Sequence, residues 1–382
     1  MTSSRPADRS RTRGWRIGTL GGAPVIITAG WLLVAAVLVA VIGPWLQGRL
    51  GLGVEAYLWA LSVPALLLLS VLAHELAHGL AAKARGIRAR EYVITLWGGH
   101  TSFGSSLATP ADSAIVSVAG PAANLLLAVL GWLAGSVTDG LAGLAVVAFT
   151  YTNAFVAVFN LLPALPMDGG KLLEAAIWAT TKDRLRGMLV AGRAGQVLAI
   201  TVVVVSLGWP LAQGQRPSVS TAIWAIVVGA VLWSGAQAAV RHAKAQLGAR
   251  GLDLVPLARA AVAVDASATV AQLDAVAAGA PTGAVPAGMV PPVVVIDQGR
   301  PVALVAAEAW QTVPAHARGT TPVSAVATPL PAVSVLTVLH GPAAAARVAR
   351  AAQAGARQLV LVDPARGLVG VVAVADVVRH LG

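Results

Sequence analysis

Ala56-Tyr57-Leu58-Trp59-Ala60-Leu61-Ser62-Val63-Pro64-Ala65-Leu66-Leu67-Leu68-Leu69-Ser70-Val71-Leu72-Ala73 runs directly into His74-Glu75-Leu76-Ala77-His78. The first part reads as a membrane span. The second part places three ionisable residues at membrane depth, where insertion scales give a cost of roughly 2.5–3.5 kcal/mol for each charged type. Such residues are rarely left there without a function. On a helix, His74 and His78 lie one turn apart on one face, so both imidazoles can reach one metal ion. Glu75 sits beside them, placed to take a proton from a water on that ion. Zinc peptidases use this spacing.

Composition agrees with a membrane setting. The chain has 382 residues, 57% hydrophobic and 11% charged, with a mean hydropathy of +0.76. Soluble globular proteins carry about 25% charged residues. There is no cysteine, which excludes a disulfide framework and any thiolate zinc site, so metal ligands must be His, Asp or Glu. The formal net charge is +11. Many basic residues fall beside hydrophobic spans, so orientation in a bilayer explains them and no nucleic-acid partner is expected.

Residues 1–23 form a basic segment with Arg5, Arg9, Arg11, Arg13 and Arg16 against Asp8. They are expected to be cytoplasmic, setting topology and touching lipid. The apolar run 25–42 is too long for the core of a signal peptide and has no clear cleavage site, so it is expected to be the first span. Residues 15–20 and 24–28 read as short strands about Gly21-Gly22. Further spans are expected at roughly 57–82, 114–133, 141–161, 188–207 and 221–240. Basic clusters follow the second, fourth and sixth: Lys83, Arg85, Arg88 and Arg90; Lys182, Arg184, Arg186 and Arg193; Arg241, His242 and Lys244. This places both termini in the cytoplasm and the His-Glu motif near the cytoplasmic face of the cell membrane. Residues 91–100 read as an interfacial strand or hairpin. Two prolines and two glycines in Pro163-Ala164-Leu165-Pro166-Met167-Asp168-Gly169-Gly170 break the helix after Asn160. An unwound segment at membrane depth is tolerated inside protein or at a watery cavity.

Beyond residue 251 no run is long enough to span. Two similar halves are legible there. The first opens at 263–268 and continues through a helix at 269–278 and strands at 293–297 and 301–305. The second opens with Val323-Ser324-Ala325-Val326 and continues through a helix at 342–354 and strands at 359–363 and 367–372.

Together, His74-Glu75-Leu76-Ala77-His78, Gly120-Pro121-Ala122-Ala123-Asn124 and residues 160–169 resemble the site-2 protease family of intramembrane zinc metalloproteases. More narrowly, the chain resembles the six-span branch with a C-terminal pair of CBS motifs. The resemblance implies a polytopic α-helical membrane protein with a C-terminal soluble α/β CBS-pair domain. It divides the chain into residues 1–23, a six-span metalloprotease domain at 24–245 and a tandem CBS-like regulatory domain at 251–382. It implies zinc-dependent hydrolysis of peptide bonds in membrane-spanning substrate proteins, under a regulatory membrane protein and with homo-oligomers formed through the CBS pair. His74, His78 and Asp168 would be the zinc ligands and Glu75 the catalytic base. Asn124 and Asn160 lie in motifs that the family places near the active site. Asn124 is equally readable as an interhelical hydrogen bond that packs the bundle. His100 is expected to be an interfacial polar residue, not a fourth ligand. Trp31, Trp45, Trp59 and Trp209 are expected to be interfacial or packing aromatics. In the CBS family an adenosine nucleotide often binds between the motifs. Asp376 resembles the acidic residue that contacts ribose, although Ala373 stands where a hydroxyl is usual. Two other functions compete: a CBS-regulated transport or channel protein, and an inactive relative that binds membrane proteins without cutting them.

Overall fold

The computed structural model describes residues 13–95, 98–279 and 291–381. Arg5, Arg9 and Arg11, and Leu96 and Trp97 of the expected hairpin, lie outside the described residues. The chain divides into two compact units, Met1–Ala243 and Lys244–Gly382.

The first unit opens with β1 (Trp15–Leu20) and β2 (Ala23–Ile27), an antiparallel hairpin. Helix α1 (Ala29–Leu50) and helix α2 (Glu55–Ala84) follow, then β3 (Ala89–Thr95) and β4 (Gly98–Phe103). After these come α3 (Pro110–Gly135), α4 (Gly140–Asn160), α5 (Asp168–Thr181), α6 (Arg184–Ala212) and α7 (Val219–Arg250). All of these helices except α5 are long and apolar enough to cross a membrane. Their outward faces stay apolar, as lipid requires: Leu125, Leu126, Leu130 and Trp132 of α3 are each more than half exposed. The protein is a polytopic α-helical membrane protein.

The four strands form one sheet in the order β1-β2-β3-β4. Its apolar face carries Val25, Ile27, Tyr92 and Ile94, which pack on Leu68, Leu72 and Leu76 of α2. Those leucines recur every four residues and so share one helix face. The His-Glu motif is rotated off this face toward α3 and β4. Trp31 packs into the same cluster, whereas Trp45 and Trp209 are exposed, as interfacial aromatics would be.

Three boundaries differ from expectation. The first span begins at Ala29, not at 25, because Val25, Ile26 and Ile27 pair with Tyr92, Val93 and Ile94 of β3. The sixth spanning helix, α7, runs on to Arg250, past the basic cluster expected to close it, because Arg and Lys are good helix formers. The largest difference lies after Asn160. The chain is non-helical from 161 to 167, as the prolines predict, but then winds a separate helix, α5, starting at Asp168 itself. Gly169 and Gly170 allow this. A Cβ at Gly169 would collide with the backbone of Leu161, and one at Gly170 with that of Ala164. The first turn of α5 is therefore pressed against the unwound segment by two residues without side chains.

In the second unit, β5 (Val262–Asp265), α8 (Val270–Ala278), β6 (Val293–Asp297), β7 (Arg300–Val305) and α9 (Ala307–Thr312) form the first half. Then β8 (Ala327–Pro329) adds to the edge of its sheet, giving the order β5-β6-β7-β8. The second half is β9 (Val335–Leu336), α10 (Gly341–Gln353), β10 (Gln358–Asp363), β11 (Gly367–Ala373) and α11 (Val374–Leu381). In each half the opening strand pairs parallel with the strand after the helix, β5 with β6 and β9 with β10. The two halves thus share one α/β arrangement, and no helix contained within this unit is long and apolar enough to cross a membrane among the described residues. The expected opening of the second half is corrected. Val323–Val326 is a 3-10 turn whose Val323 and Val326 join the core of the first half. The true opening strand is the short β9, because only Val335 and Leu336 pair with β10. Val293 and Val295 face one core while Val294 meets Val360 and Val371 on the opposite face. A strand buried on both faces reads as the unbroken valine run seen here.

Candidate metal centre

The site is built from α2, α3, α4 and the start of α5, with β4 as its cover. His74, Glu75 and His78 are each about 5% exposed, and so is Asp168. The four residues line one cavity of about 580 Å³.

Each imidazole is anchored at Nδ1. His78 Nδ1 donates to the carbonyl of Val116 at 2.6 Å. His74 Nδ1 hydrogen-bonds Asn124 Oδ1. The orientation of the Asn124 amide is set by its other end: Nδ2 donates to Ser70 Oγ at 2.8 Å and to Asn153 Oδ1 at 2.7 Å. Ser70 Oγ also donates to Asn153 Oδ1 at 2.7 Å, and Asn153 Nδ2 donates to the carbonyl of Phe149 at 2.9 Å. This closed network joins α2, α3 and α4 and presents an oxygen to His74. With Nδ1 donating, the neutral form of either ring would carry its lone pair on Nε2, the tautomer a metal needs.

Those two nitrogens converge on Asp168. His74 Nε2 is 3.0 Å and His78 Nε2 is 3.1 Å from Asp168 Oδ2, and the two nitrogens are 3.2 Å apart. Ligand atoms of a tetrahedral zinc ion with bonds of roughly 2.0–2.1 Å stand roughly 3.3 Å from one another. The triangle is slightly tighter than that, so the donor set fits the ion in both chemistry and size. It is a group of three buried residues able to hold a metal. Burial alone would raise the Asp168 carboxyl. The hydrogen bonds from His74 and His78, with the charge of Lys171, outweigh it and hold the group well below the usual carboxylate range.

Glu75 stands outside the triangle. Thr101 Oγ1 of β4 donates to Glu75 Oε2 at 2.7 Å and lies 3.1 Å from the Glu75 main-chain carbonyl, which can only share that proton. Gly99 lies so close that a Cβ there would be 2.5 Å from Glu75 Cγ. Gly120 does the same for the imidazoles: its missing Cβ would collide with His78 Nε2 and lie 2.6 Å from His74 Nε2. Helix α3 thus reaches the centre with its main chain, and the Gly-Pro-x-x-Asn motif gains a physical reason at both ends.

Other expected residues are placed differently. Asn160 donates to the carbonyl of Val156 in its own helix, 3.0 Å away, and does not line the cavity. His100 is an exposed residue on the cavity rim and is not in the metal-binding group. Asp376 sits in the first turn of α11, 3.5 Å from Arg379. A second cavity, of about 650 Å³, lies within the C-terminal unit, and Asp376 is not among its lining residues. Arg259, Arg357, Trp310 and Ser334 are, and the Ser334 hydroxyl is buried without a hydrogen-bond partner among the described residues. Several contributors to the metal centre went unread in the sequence. Ser70, Thr101 and Lys171 carried only the signal of being polar near a site, and the carbonyl of Val116 carried none.

Residues 63–145 and 136–202 match the profile of Peptidase family M50. The chain is 30% identical over 249 residues to sll0528 of Synechocystis sp., a candidate zinc metalloprotease, covering 60% of each protein. It is 29% identical over 225 residues to Rip3 of Mycobacterium tuberculosis, also a candidate zinc metalloprotease, covering 58% of this chain and 49% of that one. The chain therefore spans between about half and three fifths of the length of these curated relatives. A solved structure, the site-2 protease from Methanocaldococcus jannaschii, aligns with 59% of this chain and 94% of its own, at 22% identity and a TM-score of 0.42.

Proposed function

We propose that this chain, whose residues 63–202 match the profile of Peptidase family M50, is an intramembrane zinc metalloendopeptidase that cuts membrane-spanning proteins near the cytoplasmic face. One observation carries the proposal: a triangle of two imidazole nitrogens and one carboxylate oxygen, with a separate buried carboxylate beside it. His74, His78 and Asp168 would hold the ion. When bound, zinc supplies Lewis acidity to the scissile carbonyl and lowers the pKa of water. Glu75 accepts the proton of the attacking water and returns it to the leaving amine. Thr101 keeps that carboxylate turned to the cavity. Asn124 and the Val116 carbonyl fix the imidazole tautomers. Three ligands leave a tetrahedral position open, as a catalytic site needs.

The cover of the site supports a peptide as substrate. Among the described residues strand β4 ends its sheet, directly beside Glu75, and an edge strand can pair with an extended chain. A transmembrane helix would have to unwind locally to pair there. The basic residues after α2 and about the first turns of α6 support the cytoplasmic placement. The purified chain should contain one zinc per molecule and cleave a single-span membrane protein. Chelation should stop cleavage and added zinc restore it. Full cleavage by the metal-free protein would sink the proposal.

In this reading residues 251–382 regulate the membrane part. The second cavity supports an anionic ligand with a flat apolar moiety, of which an adenosine nucleotide is one, with Arg259 and Arg357 to meet phosphate and Trp310 to meet the base. ATP or AMP should raise the thermal unfolding temperature of the purified chain, and the R259A/R357A double variant should lose that rise. An equal rise in the double variant would exclude this cavity.

A further inference from the structure

Asp168 has two carboxylate oxygens, and the structure divides them. Oδ2 faces both imidazole nitrogens. Oδ1 accepts from Lys171 Nζ at 3.0 Å. Lys171 is one turn further along α5, and about half of its side chain is exposed to the cavity mouth. Two features hold this pairing in place. The intervening residues are Gly169 and Gly170, whose close approach to Leu161 and Ala164 fixes the first turn of α5. Glu174, the next acidic residue on the helix, is taken by Arg184, whose Nε lies 2.8 Å from Glu174 Oε1. The ammonium is thereby left to Asp168.

We propose that Lys171 is a positioning residue that keeps Asp168 a one-oxygen ligand. The inference rests on the ligand reading above. A carboxylate with both oxygens free can bind a divalent ion through one or through both. Two imidazole nitrogens and two oxygens would already make four donors, so that a water could join only as a fifth; two nitrogens and one oxygen leave the fourth position of a catalytic site to the water. A charge-assisted hydrogen bond on Oδ1 is strong enough to decide between them. The long side chain lets Lys171 do this from outside the coordination sphere.

The test uses the full chain in detergent, as wild type, K171M, K171R and D168A, each loaded with cobalt(II) or zinc. K171M should keep one metal per chain. Its cobalt absorption in the visible should weaken severalfold, as a four-coordinate centre gains a fifth donor, and cleavage should fall roughly 10–100-fold, the range for partners that orient metal ligands. K171R should restore both the spectrum and the rate. A K171M protein with the wild-type cobalt spectrum overturns the proposal, whatever its activity. Should K171M fail to fold, as judged by unfolding of the metal-free chain, K171A is read by the same spectrum. D168A separates the two levels of inference. If D168A keeps its metal, the ligand reading itself fails. If D168A loses metal while K171M matches wild type, only the positioning role fails.

Discussion

Glu75→Gln should abolish cleavage while leaving zinc content and thermal unfolding at the wild-type level. The substitution keeps the shape of the side chain and removes only its capacity to take a proton. Glu75 is outside the triangle of Nε2, Nε2 and Oδ2 atoms, so the donor set stays whole. The contact with β4 also survives, because the carboxamide oxygen of Gln still accepts from Thr101 Oγ1. A positioned general base contributes roughly 10²–10⁴ to rate, so the loss should be at least of that order. Gly99 leaves no room for a second side chain to replace it from β4. The measurement is cleavage of a single-span substrate together with zinc analysis of the same preparation. A Glu75→Gln protein that cuts at the wild-type rate would remove Glu75 from the chemistry. One that loses zinc would mean that the carboxylate supports the metal centre instead.

How far these residues were legible depends on whether their signal is local. His74, Glu75 and His78 stand out because a period of four interrupts an apolar run, and both the run and the interruption lie within one helix. Asp168 was legible as a polar residue in a broken stretch, yet helix α5 was not. Pro163, Pro166, Gly169 and Gly170 look like a turn, and only their fit against the backbone of Leu161 and Ala164 turns the last two into a helix start. Asn124 read as a polar residue inside a span, with packing or function equally open. Deciding required the register of three helices at once, since Ser70, Asn124 and Asn153 satisfy each other only together. The same limit explains the second unit. Val323–Val326 and Val335–Leu336 are both short apolar runs, and what makes β9 the opening strand is its pairing with β10, which lies beyond the whole of α10 in the sequence. Val116 contributes a carbonyl that any residue type would offer.

Gly120→Ala should remove the metal with a single methyl group. A Cβ on Gly120 would collide with His78 Nε2 and stand 2.6 Å from His74 Nε2, the two atoms that would bind the ion. Relief by rotating the imidazoles is blocked, because each Nδ1 is already held, His74 by Asn124 and His78 by the Val116 carbonyl. Relief by moving α3 is resisted as well. Val116 and Asn124 lie one turn before and one turn after Gly120 on the same helix, so any shift of α3 strains both anchors along with the network to Ser70 and Asn153. Overpacking of this kind costs about 1–3 kcal/mol of stability, which a large membrane domain can absorb without unfolding. The metal centre cannot absorb it, since the added methyl lies against the ligand atoms themselves. Gly120→Ala should therefore purify folded, with a modestly lowered unfolding temperature, substoichiometric zinc and cleavage reduced at least as far as in a ligand variant such as His78→Ala. Gly131→Ala serves as the comparison: Gly131 is on the same helix but packs on Thr150 and Phe149, so this change should lower stability and leave zinc stoichiometric. Full zinc occupancy in Gly120→Ala would show that α3 does not approach the imidazoles as closely as the geometry requires.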